Sequence, residues 1–91
     1  MFRIDRVVDT GRVTLTLAGV LDASAAAETA NVMGGPLRTN RRLTLDLSQL
    51  RYADREGMLF LAGAMRNRVR LTGIPRYIRS WLKQEGLRQE G

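Results

Sequence analysis

Cysteine and histidine are both absent from this sequence. Their absence excludes disulfides, thiolate zinc sites, and Cys or Ser nucleophiles activated by a histidine base. A metal site would have to be built from carboxylates alone, and the nine acidic residues are scattered along the chain. Asp22, Asp46 and Asp54 do not have the spacing of a catalytic pair. Gly34-Gly35-Pro36 lacks the Lys-Ser/Thr of a phosphate-binding loop. No enzyme activity, cofactor or metal is therefore expected. Long apolar runs are missing too. The longest, Met58 to Met65, is broken by Gly63 and falls well short of the ~20 residues a membrane span needs. The opening residues Met1-Phe2-Arg3-Ile4-Asp5-Arg6 do not read as a signal peptide. A cytoplasmic protein with no membrane insertion is expected.

What is present describes a globular chain. Of its 91 residues, 44% are hydrophobic and 26% charged, values outside the disordered class. The length suits one domain, residues 1–91, that buries roughly 60–65% of the surface its unfolded chain exposes. The net charge is +6, and all the basic residues but Lys83 are arginine. The charge is uneven. Residues 1–34 carry three arginines against four acids, whereas residues 35–88 carry twelve basic residues against four acids. Such a surface favours acidic partners.

The pattern along the chain predicts β-β-α-β-α-β-α. Phe2, Ile4 and Val8 alternate with polar positions up to a turn at Asp9-Thr10-Gly11. Val13, Leu15 and Leu17 alternate with Thr14 and Thr16, so the two runs form a hairpin, with Gly19 ending the second strand. Asp22 is placed to cap an alanine-rich helix over 23–33, which Gly34-Gly35-Pro36 is expected to stop. Leu43, Leu45 and Leu47 mark a third strand. Asp54 opens a short helix over the apolar residues 58–65. Val69 and Leu71 mark a fourth strand. Pro75 starts a last helix, on which Ile74, Tyr77, Ile78, Trp81 and Leu82 share one face and Gly86 supplies the C-cap. The best strands have one apolar and one polar face. The expected fold is therefore α/β: a small mixed sheet of about four strands, with helices mainly on one face and the other face wet.

Two segments stand out as candidate contact surfaces. The helix over 58–65 is apolar nearly all round, so what does not meet the sheet must meet neighbouring helices or another molecule. On the last helix, Arg76, Arg79 and Lys83 line the outer side while Tyr77 and Trp81 lie one turn apart, as core residues or as an aromatic-basic docking site. At the start of the 58–65 helix, Asp54 is a good N-cap, worth about 1 kcal/mol over Ala. Glu56 suits the helix dipole, and Arg55 opposes it by about 0.3–1 kcal/mol.

Gly19-Val20-Leu21-Asp22, leading from a hairpin into a helix, and the run from Leu43-Thr44-Leu45-Asp46-Leu47-Ser48 to Asp54-Arg55-Glu56-Gly57 together resemble the STAS domain. That family is named for sulfate transporters and anti-sigma factor antagonists. Its pattern is a strand ending in Leu-Asp-Leu-Ser, then five or so residues, then Asp-Ser-x-Gly opening a helix. The resemblance covers nearly the whole chain. It implies a non-enzymatic switch whose Asp-Ser-x-Gly loop docks on a partner kinase or transporter, with docking blocked when the serine is phosphorylated. On this sequence Asp54 and Gly57 match the loop, while Arg55 stands in place of the serine. The resemblance thus implies a variant without the phosphorylatable residue. The stretch between Gly57 and Val69 is a few residues shorter than the family's usual length.

The expected function is docking to a protein partner, an anti-sigma-type kinase or a transporter complex, or to a second copy of the chain. The candidate partner-binding residues are Asp54, Arg55, Glu56, Gly57, Met58 and Leu59. A basic nucleic-acid-binding domain is the alternative that the charge supports. Against it stand the lack of a helix-turn-helix or RNA-recognition signature and the spread of arginine over several elements.

Overall fold

A computed structural model describes residues 1–87. Two antiparallel strands, β1 (Phe2–Asp9) and β2 (Arg12–Leu21), form the hairpin, registered from Phe2 opposite Gly19 to Asp9 opposite Arg12. Helix α1 (Ala23–Arg38) crosses to β3 (Arg42–Ala53), which lies parallel to β2. Helix α2 (Arg55–Arg66) crosses to β4 (Arg70–Thr72), parallel to β3, and α3 (Arg76–Gln84) follows. The sheet is mixed, four-stranded and ordered β1-β2-β3-β4. Both parallel crossovers step the same way across the sheet, so right-handed connections put α1 and α2 on one face.

Burial agrees with that arrangement. The register sets Val13 beside Leu43, and Leu15 beside Leu45 and Leu71, in rows that are all buried. The intervening rows, Thr14 beside Thr44 and Arg70, and Thr16 beside Asp46 and Thr72, point away from the helices and are half-buried or exposed. The expected element order and the one-sided helical cover are both observed. The apolar rows join Leu61 of α2 and Ile78 and Leu82 of α3 in one core.

Four boundaries differ from the sequence expectation. Strand β3 does not end at Ser48 but runs to Ala53. Strand β2 does not end at Gly19 but continues to Leu21. Gly19 adopts φ +101, and the β2–β3 register shifts on either side of it. A Cβ there would overlap the carbonyl oxygen of Met1, so this glycine marks an irregularity where the backbones approach closely. Helix α1 does not stop at Gly34-Gly35-Pro36 but runs to Arg38 with Pro36 inside it. The actual stop is Asn40, which takes the left-handed conformation at φ 59. Its N–H donates to Leu37 O at 3.3 Å, and the N–H of Arg41 donates to Pro36 O at 3.0 Å. This is a Schellman closure, and it needs a residue that tolerates positive φ rather than a helix breaker. Strand β4 is shorter than expected, and Val69 lies just before it, buried. Helix α2 ends in the same way as α1, with Arg68 at φ 66 and the Val69 N–H bonded to Ala64 O at 3.0 Å. Helix α3 ends with Gly86 at φ 81, the C-cap glycine expected from sequence.

Candidate docking surface

The β3–α2 loop lies at the C-terminal ends of the parallel strands β2 and β3. The Asp54 carboxylate caps α2 by accepting the Gly57 N–H at 2.9 Å. The Asp54 N–H donates to Leu21 O at 3.1 Å, which ties the loop to the end of β2. Gly57 is buried against the same carbonyl, and a Cβ on Gly57 would overlap that oxygen. The loop can approach β2 this closely only because residue 57 has no side chain. Directly after Leu21 in the chain, Asp22 caps α1 in the same manner, accepting the Ala25 N–H at 2.9 Å.

With its backbone held, the loop turns Arg55 and Glu56 outward, both exposed, with Met58 half-buried and Leu59 42% exposed. Beside them α3 adds an aromatic wall. Tyr77 is 43% exposed, and its hydroxyl accepts the Ala53 N–H at 2.9 Å, joining α3 to the end of β3. Tyr52 is 54% exposed and Trp81 half-buried. Together with Ala53, Arg55 and Met58, these three aromatic side chains line an open depression of about 410 Å³. Aromatic, Met and Arg side chains are the types enriched at protein interfaces. Among the described residues no three carboxylates gather as a metal site, and no helix is long and apolar enough to cross a membrane.

No protein-family model and no curated protein matches the chain. Solved structures do. The anti-sigma factor antagonist SpoIIAA in its unphosphorylated form aligns with TM-score 0.65 and 19% identity, over 100% of this chain and 88% of that one. A DUF3478-family protein with a SpoIIAA-like fold, from Shewanella loihica PV-4, aligns with TM-score 0.60 and 9% identity, over 93% of this chain and 76% of that one. The chain has a STAS-like fold.

A further structure, Mglu, aligns with TM-score 0.63 and 22% identity over 75% of this chain, which spans only 18% of the length of Mglu. In the STAS-like domain the six sequence-predicted positions separate into two kinds. Asp54 and Gly57 shape the loop through backbone contacts, while Arg55, Glu56, Met58 and Leu59 present side chains outward. Sequence reasoning missed Tyr52, which the strand pattern of β3 gave no reason to single out. Tyr77 and Trp81 had been placed on the apolar face of α3. Of that face, Ile78 and Leu82 are buried, whereas Tyr77 stands at the surface and Trp81 at its margin. A signal was available: Tyr77 and Trp81 flank Ile78 and Leu82 on one edge of the α3 stripe, where an amphipathic helix meets its neighbour rather than the sheet.

Proposed function

We propose that this STAS-like domain is a non-catalytic docking module that regulates a partner protein. The partner is an anti-sigma-type kinase or a transporter complex. It binds over Arg55, Glu56, Met58 and Leu59 together with the aromatic wall of Tyr52, Tyr77 and Trp81. The observation that carries the reading is that wall. A depression lined by the exposed Tyr52 and Tyr77 and the half-buried Trp81 sits against the loop held by Asp54 and Gly57. Asp54 and Gly57 act as its scaffold. The resemblance to SpoIIAA supports the class of function, since that protein is an anti-sigma factor antagonist. Control differs from the serine switch, because Arg55 offers no hydroxyl and already carries a fixed charge. The partner is engaged without a phosphorylation step in the loop, and its complementary surface is acidic opposite Arg55.

The test places a photo-crosslinking amino acid at Tyr52 or, as a control, at Glu28 on α1, in the cell that makes the protein. The expected result is one cross-linked partner from position 52 that is absent from position 28 and is lost when Met58→Asp is added. Equal cross-linking from both positions would overturn the assignment of this face.

A further inference from the structure

The sheet face that no helix covers carries a second surface, and its chemistry differs from the first. Register places Arg12 of β2 directly beside Arg42 of β3, and Arg70 of β4 beside Thr44, two residues further along β3. All three arginines are exposed and belong to the rows that point away from the core. At the same end of the sheet the α1–β3 loop brings Arg41 and the α2–β4 loop brings Arg68. These five arginines border one concave surface of about 890 Å³. None of them has a carboxylate within ion-pair distance among the described residues, where the one ion pair joins Arg3 and Asp5. Like charges directly opposite on neighbouring strands are unfavourable. The sequence nevertheless sets arginine against arginine and adds three more around them.

Thr14, Thr44 and Thr72 lie between the arginines, and Leu37, Asn40 and Asn67 also line the surface. Asp46 stands at its far end, its carboxylate accepting the Ser48 N–H at 2.9 Å. No aromatic side chain lines the surface, so the aromatic stacking platform of single-strand nucleic-acid binders is missing. Arginine matches carboxylates as a planar fork that can form paired hydrogen bonds. Arg12 and Arg42 stand on neighbouring strands about 4.8 Å apart, close enough for their long side chains to engage carboxylates of one bound segment.

The geometry points to this groove as a binding site for an extended acidic segment of a protein partner. The site is separate from the α2 surface: the two lie at opposite ends of β3, and this inference does not rest on the docking function assigned above.

Fluorescence anisotropy with a labelled peptide of alternating glutamate and threonine tests it on the full chain. A peptide of alternating lysine and threonine, a single-stranded DNA and a duplex DNA serve as comparisons. The expected result is saturable binding of the acidic peptide that weakens steeply with salt. Its affinity falls at least about tenfold in the Arg12→Gln/Arg42→Gln double variant. The thermal midpoint of that variant is unchanged or higher, because the cross-strand repulsion is relieved. Arg55→Glu, at the other end of the molecule, leaves peptide binding unchanged, so failure here and failure of the docking surface are distinguishable. Tighter binding of either DNA than of the peptide would overturn the proposal in favour of nucleic acid. Equal loss of peptide binding in Arg55→Glu, or no binding of the peptide, would overturn it as well.

Discussion

Two single residues set backbone geometry that their neighbours depend on, and each makes a sharp prediction. Arg68 closes α2 in the left-handed region at φ 66. A side chain with a Cβ costs roughly 1 kcal/mol there, and glycine avoids that cost. Arg68→Gly is therefore expected to raise stability by about 1 kcal/mol, read as an upward shift in the urea midpoint with unchanged slope. A destabilised variant would mean that the Arg68 side chain makes contacts that outweigh its backbone strain. Gly57 makes the opposite case. Its Cβ position is occupied by the Leu21 carbonyl oxygen, part of the backbone and unable to swing aside. Gly57→Ala is expected to cost about 2 kcal/mol or more and to loosen the loop that Asp54 caps. Wild-type stability in that variant would show that β2 and α2 can separate freely.

At the scale of elements, what the sequence disclosed depends on how local the cause is. The alternation of Val13, Leu15 and Leu17, and of Leu43, Leu45 and Leu47, was legible because the sheet is covered on one face only, leaving threonines and charges between the leucines. Asp22 and Asp54 were legible as caps because an N-cap hydrogen bond spans only three residues. The end of α1 was not, because Pro36 is tolerated within its last turn and the stop falls to an asparagine that takes a left-handed conformation. The aromatic half of the proposed surface was legible in part: Tyr77 and Trp81 stood out as core residues or a docking site, whereas Tyr52 did not. Tyr52 and Tyr77 are far apart in sequence, and only the meeting of the β3 end with α3 brings them together. Helix α2 read as apolar all round, and the structure divides its residues. Leu61, Ala62 and Ala64 are buried, Met58 and Met65 are half-buried, and Leu59 is exposed. Leu59→Glu is expected to leave stability within about 0.5 kcal/mol while weakening partner binding or self-association. Analytical ultracentrifugation for the second copy, and titration for the partner, read the two outcomes. Intact binding of both would remove Leu59 from the interface.

Across the whole molecule, the two proposed surfaces lie at the two ends of the sheet. The end at Ala53 carries an apolar, aromatic depression beside one fixed positive charge, and the end at Arg42 carries an arginine groove. At the first end Arg55 stands where the STAS pattern has its serine, so no phosphate is expected between Asp54 and Gly57, where no side chain carries a hydroxyl. Intact mass after incubation with ATP and extract from the source cell checks this. A phosphate mapped to Ser48 or Tyr52 would restore a covalent switch to the loop.

The most direct measurement pairs the thermal midpoint with the affinity for the cross-linked partner, in the wild type and in Arg55→Glu. Arg55 is exposed in the first turn of α2, where a negative charge suits the helix dipole. The predicted result is stability within about 0.5 kcal/mol of wild type, or slightly higher. Binding is predicted to be weakened by about tenfold or more, as like charges are brought together across the interface. Unchanged affinity at unchanged stability would contradict the claim that this loop docks the partner.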